Sequence, residues 1–159
     1  MGREGEKRQI INENEMMQEV YKNFGISVNK VLFRWKFTFL DQLKVIESTD
    51  ILIGRHGAGF INSIFLRPKS GIIQINAPLY TTTHIINISK KSYLFIAQVN
   101  DNIVKNPPEL ERQFRMLSTK LKYREYRDSC ILVNLTSFIN NFNYIKNKVE
   151  NEKYRYKIK

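Results

Sequence analysis

The stretch from Thr49 to Pro68, TDILIGRHGAGFINSIFLRP, constrains this chain more than any other. Ile51, Leu52 and Ile53 form a short apolar run that predicts a buried strand. The run stops at Gly54 and passes into a turn containing His56, Gly57, Ala58 and Gly59. A helix is predicted next, with Ile61, Ile64 and Phe65 at helical spacing as its apolar face. Strand, glycine-rich turn and helix together aim free backbone N–H groups at an anion. Glycine at 57 and 59 lets a phosphate approach the backbone with no Cβ in the way. A histidine in the turn adds a donor near neutral pH. The same residues also fit a plain strand-to-helix turn in an α/β domain.

The rest of the chain extends the alternation. A helix is expected from Asn12 or Asn14 to Phe24, presenting Met16, Met17, Val20 and Tyr21 and stopping at Gly25. Ile26 to Trp35 is rich in β-branched and aromatic residues and reads as a strand. Phe39 to Ser48 predicts a short helix with Leu40, Leu43 and Ile46 on one side. Pro68 and Gly71 end the following helix, and strands are expected at Ile72 to Ile75 and Tyr93 to Val99, with a short helix over Thr83 to Lys91 between them. Asn100 to Pro108 reads as loop, Leu110 to Leu121 as helix, and Ser137 to Val149 as a last helix with Phe138, Phe142 and Ile145 in register. Helix and strand in alternation imply an α/β fold, a Rossmann-like parallel sheet with flanking helices. Ligands of such sheets sit beyond the carboxyl ends of the strands, where residues 54–59 fall. The expected organisation is a Rossmann-like domain over 1–100, a loop and basic connecting segment over 101–128, and a C-terminal helix with a basic tail over 129–159.

Composition narrows the class of partner. The 159 residues support one domain with a real core, and 42% hydrophobic content is that of a globular chain. Lys and Arg number 26 against 15 Asp and Glu, a net charge of +11 that calls for an anionic partner. A nucleotide diphosphate, nucleic acid and an acidic membrane surface all fit that charge. Much of the excess lies in Lys120 to Arg127 and Lys146 to Lys159, where charge runs are ordinarily solvated. The single cysteine, Cys130, excludes an internal disulfide and a cysteine zinc site, and its apolar neighbours predict a packed thiol. No apolar run reaches the length of a membrane span, and MGREGEKRQ is too polar for a signal peptide. Asn87-Ile88-Ser89 and Asn134-Leu135-Thr136 are glycosylation sequons, compatible with a lumenal protein.

The Gly-x-His-Gly-Ala-Gly turn after a hydrophobic strand, with Asn, Phe, Leu and Pro following, resembles the signature of family 61 glycosyltransferases. Phe39 to Leu43, FLDQL, ten residues before the strand, is similar to the EGF-domain-specific O-GlcNAc transferase branch of that family. Upstream, Arg3, Arg8, Asn12 and Glu15 resemble the family's two arginines five apart, followed by Ile-x-Asn opening a helix. Downstream, Ile72 to Asn76, IIQIN, stands where the family has an apolar strand carrying a glutamate. The resemblance is clear over residues 3 to 100, faint from Tyr123 to Phe142 and absent at the end.

The resemblance implies a two-Rossmann-domain (GT-B) enzyme, of which this chain would be the second, nucleotide-sugar-binding half. It implies an inverting, UDP-sugar-dependent transfer to a Ser or Thr hydroxyl of a protein, with GlcNAc or xylose as the sugar and GlcNAc favoured by the branch. Arg3 and Arg8 become candidates for the diphosphate, since guanidinium forks suit phosphate oxygens. His56 and the N–H groups of Gly57, Ala58 and Gly59 would complete a cradle that stabilises the departing diphosphate without a bound metal or other cofactor. No Asp-x-Asp motif occurs. Asn62 is either a ligand contact or a polar residue of the helix face. Gln74 departs from the family: a glutamate accepts from both ribose hydroxyls, whereas glutamine offers one acceptor and an amide donor. Arg55 adds charge beside the cradle.

A base must activate the acceptor hydroxyl. His56 is the one candidate in this chain, and a phosphate role uses it better. The resemblance therefore implies that the base lies in a first domain outside this chain. The expectation is a piece of a longer enzyme of the ER or Golgi lumen, lacking the strand before Arg3 and inactive alone. Two other readings compete with it. One is a degenerate, non-catalytic relative. The other is a basic nucleic-acid-binding module, suggested by Tyr123, Tyr126, Tyr154 and Tyr156 among basic residues, although no nucleic-acid motif occurs.

Overall fold

The computed structural model describes residues 8–31, 37–78, 87, 93–115 and 128–157. Three strands, β1 (Ile51–Arg55), β2 (Gly71–Ile75) and β3 (Phe95–Val99), form a parallel sheet in the order β1-β2-β3. The register sets Gly54 beside Gln74 and Gln74 beside Gln98. A second, small antiparallel pair joins β4 (Ile103–Val104) to β5 (Ile131–Leu132). The helices are α1 (Glu13–Phe24), α2 (Phe39–Glu47), α3 (Pro108–Arg115) and α4 (Leu135–Lys157), with a 3-10 helix, η1, over Ala58–Phe65. The parallel sheet with flanking helices matches the expected fold class.

The two faces of the sheet carry different covers. Ile73 and Ile75 of β2 join Val99, Met16, Val20, Phe138, Phe142, Ile145 and Val149 in one core under α1 and α4. Ile72 joins Ile46, Phe60, Leu66 and Leu94 in a second core under α2 and η1. Strand side chains alternate between faces, so Ile72, Gln74 and Asn76 share the α2/η1 side. Every residue of β2 is buried. Gly71 is what lets α4 lie so close: a Cβ at this position would stand 2.2 Å from Ile145 Cγ2.

Several expected elements are shifted. Ile26 to Trp35 was expected to be a strand, yet residues 26–31 form no ladder, and 32–36 lie outside the described residues. The period of two is present, because Ile26 and Val28 pack on the core while Ser27 and Asn29 are exposed. Among the described residues no strand pairs with it at ladder distance, about 4.8 Å. A cavity of about 660 Å³ lies between this segment and Ile51, Leu52 and Ile53 of β1.

The helix after the glycine turn is 3-10 rather than α, and its buried positions are Phe60, Ser63 and Leu66, three apart. A three-residue repeat puts those positions on one edge. The expected face of Ile61, Ile64 and Phe65 is exposed instead, at 58%, 46% and 41%. Leu40, expected inside, is also exposed, while Ile46 is fully buried. Phe39 meets Phe65 edge-on with ring centroids 5.8 Å apart, so α2 and η1 share an exposed apolar surface.

Gly25 ends α1 in the left-handed conformation, as its position predicted. Thr38 caps α2 in a reciprocal box with Asp41, whose carboxyl is held below its ordinary value mainly by the Thr38 hydroxyl. Of the expected 83–91 helix only Asn87 is described, and it is helical; the rest lies outside the described residues, as do Lys120 to Arg127 and residues 116–121 of the expected helix there. The last helix begins at Leu135 and buries Phe138, Phe142, Ile145 and Val149, as the spacing predicted and one turn beyond. Cys130 is fully buried.

Gly71→Ala is expected to destabilise the protein by about 1–3 kcal/mol, the usual cost of overpacking a closed core. In an Ile145→Ala background the same change should cost less, because the clashing methyl is gone. Urea unfolding of the two pairs measures the difference, and equal costs in both backgrounds would show that the Gly71 contact with α4 is unimportant.

Candidate functional site

The turn after β1 sits at the carboxyl edge of the parallel sheet, where such folds bind ligands. His56 extends the ladder by one bond, its N–H donating to Ile75 O at 2.9 Å. The chain then turns at Gly57, and Phe60 N–H donates to Gly57 O at 3.0 Å to begin η1. Ala58 and Gly59 form the first residues of that helix, whose opening N–H groups have no acceptor within the helix. Gly57 is fully extended, a conformation open to any residue. Among the described residues a Cβ there would meet nothing nearer than 3.9 Å, from Arg55 O and an Arg8 guanidinium nitrogen. Neither backbone strain nor packing against the described residues therefore requires glycine at position 57.

The Arg8 guanidinium stands beside the turn, and Arg55 precedes it at the end of β1. Arg8 is held by Asp128: its Nε and one terminal nitrogen reach the same carboxylate oxygen at 2.6 and 2.5 Å, and its N–H donates to Asp128 O. Arg8 adopts a positive φ of 62°, uncommon for a side-chain-bearing residue, so the Asp128 contacts fix an otherwise unfavourable backbone. Arg55 ends β1 almost buried, at 8% exposure, and donates to Gln9 O at 3.3 Å. Burial lowers its guanidinium to about 10; the Arg8 charge acts in the same direction, while Cys130 and Asp128 oppose it. Arg55 remains a cation at neutral pH.

Gln74 begins a chain of amides that is buried at Gln74 and Asn76 and reaches the surface at Asn100. Its Nε2 donates to Asn76 Oδ1 at 2.5 Å and lies 3.0 Å from His56 Nδ1. Asn76 in turn donates to Asn100 Oδ1 at 2.7 Å. Asn102 closes the edge by donating to Asn76 O and Val99 O. Gln74 is fully buried, and its Oε1 accepts no hydrogen bond among the described residues; the Ser63 hydroxyl of η1 is also buried without a partner there. A buried acceptor left in this state is costly, and its natural remedy is an incoming donor.

The structure thus brings Arg8, His56, Gly57 and Gln74 to one edge, with Ala58 and Gly59 following. Arg3 lies outside the described residues. Asn62 turns to α2 instead, its amide donating to Gln42 Oε1 at 3.1 Å, so it ties η1 to α2. Asp128, Asn76, Asn100 and Asn102 had not been read as part of the site. Asn76 carried a usable signal, because it stands two residues after Gln74 and so on the same strand face. Asp128 carried none, since it meets Arg8 across 120 positions of sequence. Among the described residues, no three His, Cys, Asp or Glu side chains converge as a metal group, and no helix is long and apolar enough to cross a membrane.

Asp128→Ala should remove charge-assisted hydrogen bonds and leave Arg8 facing Arg55, costing about 1.5–3 kcal/mol. The loss should shrink at 1 M salt, where exposed charges are screened within about 3 Å. Urea unfolding at low and high salt checks both; a neutral substitution would remove the tie between residues 8 and 128 from the account of the site.

The family model for glycosyltransferase 61 matches residues 1–73, which carry Arg3, Arg8, the FLDQL segment and the glycine turn. The EGF domain-specific O-linked N-acetylglucosamine transferases of dog and cow are each 34% identical over 76 residues, 47% of this chain and 14% of theirs. The protein of the same name from Drosophila melanogaster is 36% identical over 66 residues, 42% of this chain and 12% of its own. The chain thus matches only about a seventh of the length of these relatives, and over that stretch the resemblance to glycosyltransferase family 61 is borne out.

Proposed function

We propose that this chain is the nucleotide-sugar-binding part of a glycosyltransferase that moves a sugar from a UDP-sugar to a Ser or Thr hydroxyl of a protein, with GlcNAc as the sugar. The observation that carries the proposal is the glycine turn at the carboxyl edge of a parallel sheet, next to the Arg8 guanidinium, preceded by Arg55, and with no packing need for glycine at position 57 among the described residues. A glycine with no internal reason leaves external approach as its reason. The family match over the same residues supports the same ligand class. The relatives' names supply GlcNAc, and an EGF domain as the kind of acceptor.

In this reading the diphosphate lies against the first N–H groups of η1, with Arg8 and Arg55 supplying positive charge. Transfer breaks the bond between the sugar's anomeric carbon and the diphosphate oxygen, so negative charge grows on the leaving group. Donors fixed beforehand at that place lower the barrier, and no group need reorganise as the charge appears. Gln74 Oε1, a buried acceptor, suits one ribose hydroxyl. The base for the acceptor hydroxyl is assigned outside this chain, in the first half of a GT-B enzyme, and the site in the ER or Golgi lumen. Arg3 is kept as a second diphosphate ligand.

Titration calorimetry tests the proposal. UDP should bind, with UMP and uridine weaker. His56→Ala should lose a donor to a charged group, about 1.5–3 kcal/mol, or roughly tenfold or more in affinity. Gln74→Glu should tighten UDP by offering a second acceptor to the ribose. Equal UDP affinity with and without His56 would remove its phosphate role. No UDP binding would favour a non-catalytic relative, and preference for oligonucleotides with steep salt dependence would favour a nucleic-acid module.

A further inference from the structure

We propose that Asn134 is a modification site and carries an N-linked glycan at the start of α4. The sequon Asn134-Leu135-Thr136 lies where the chain passes from β5 into that helix. Asn134 and Thr136 are both exposed, while Leu135 between them packs against the core. The amide that would bear the sugar and the hydroxyl that completes the sequon are therefore both at the surface.

The amide of Asn134 has its two ends differently used. Its Oδ1 accepts from the Ser137 N–H at 3.1 Å, the ordinary work of a helix N-cap. A backbone N–H can only donate, so this contact fixes which end of the amide is oxygen. The Nδ2 end meets no acceptor among the described residues. Asn12 and Asn102 are the contrast. Both are buried, and both spend Nδ2 on backbone oxygens, Asn12 on Val133 and Asn102 on Asn76 and Val99. A glycan on Asn134 Nδ2 leaves the helix cap intact and enters no buried place. Beside it lies an open hollow of about 420 Å³, whose other walls are Asp101, Thr136, Ser137, Asn140 and Asn141. All five carry hydrogen-bonding side chains, which suits the hydroxyl and acetamide groups of a first sugar.

The donor for this modification is a polyprenyl-diphosphate-linked oligosaccharide. Nδ2 bonds to the anomeric carbon, the bond from that carbon to the diphosphate oxygen breaks, the lipid diphosphate leaves as an anion, and Nδ2 gives up one proton. The glycan would stand clear of the glycine turn. Asn134 N–H donates to Asn102 Oδ1 at 3.2 Å, and Asn102 holds the ends of β2 and β3, whereas Gly57 follows β1 on the other side of β2.

This inference rests on the lumenal placement proposed above and not on UDP binding. The full chain, taken from the cells that make it, is treated with peptide N-glycosidase in heavy-oxygen water and digested with trypsin. Removing a glycan turns its asparagine into a heavy-oxygen aspartate, which mass spectrometry reads in the peptide from Asp128 to Lys146. Label at position 134 is the expected result. In a second arm the full chain is expressed in animal cells behind a secretory leader, as wild type, Thr136→Ser and Thr136→Ala. The first two should carry the glycan, and Thr136→Ala, which keeps the Asn134 cap, should lose it completely. Transfer precedes folding, so a variant that folds poorly is still scored. Absence of label in the chain from its own cells overturns the inference, as does label that survives Thr136→Ala. Modification behind the leader alone would show that the lumenal placement failed. No modification in either arm would show that Asn134 failed and leave the placement, and the UDP reading with it, to be judged by calorimetry.

Discussion

The structure depends on the complete burial of β2. Both neighbouring strands pair with it, one helical layer packs on each face, and none of its five residues reaches solvent. Such burial is simple for Ile72, Ile73 and Ile75, each of which gains about 1.5–3 kcal/mol from leaving water. It is demanding for the remaining two. Gly71 must stay without a side chain for α4 to approach, and Gln74 must find partners for an amide that water can no longer reach. The first demand fixes the distance of the C-terminal helix. The second fixes the chemistry of the sheet's carboxyl edge, because Asn76 and His56 are the partners it recruits, and Asn76 in turn bonds Asn100.

That edge is tied to distant parts of the chain by asparagines acting as backbone substitutes. Asn12 exchanges two hydrogen bonds with Val133, one through its amide nitrogen and one through its oxygen, as a strand neighbour would. Ile11 N–H and Gln9 O add two more to Ile131. Asn102 accepts from Asn134 N–H while donating to the ends of β2 and β3. The segment bearing Arg8 is thereby fixed against residues 128–133, and so its guanidinium is held beside Gly57. The match to the family covers residues 1–73, but Arg8 owes its position to residues far beyond that boundary.

The sequence made the sheet legible because fully apolar runs such as Ile51 to Ile53 and Ile72 to Ile75 are bounded by breakers. It also made the long last helix legible, since Phe138, Phe142 and Ile145 repeat at helical spacing. The inner face of η1 was not legible. A periodicity of 3.6 selected Ile61, Ile64 and Phe65, whereas a repeat of three selects Phe60, Ser63 and Leu66, and one of those is a serine. The strand expected at 26–35 had the right alternation, but pairing is a property of two segments and its own pattern held only one. Of the candidate site, His56, Gly57 and Gln74 were found because they stand in or beside one motif. For Asn62 the sequence left a ligand contact and a helix-face residue open, and its bond to Gln42 across two helices has no sequence signal.

The charge balance at the edge argues for what it receives. Burial strips Arg55 of most of its water, and the Arg8 charge adds to the effect, so its guanidinium falls to about 10. Among the described residues Asp128 is the carboxylate that acts on both cations, and Nε and one terminal nitrogen of Arg8 converge on a single one of its oxygens. A neutral ligand would leave this imbalance as it is. An anion at Gly57 would relieve it, and would do so in a place of low dielectric where each charge interaction exceeds its value in water.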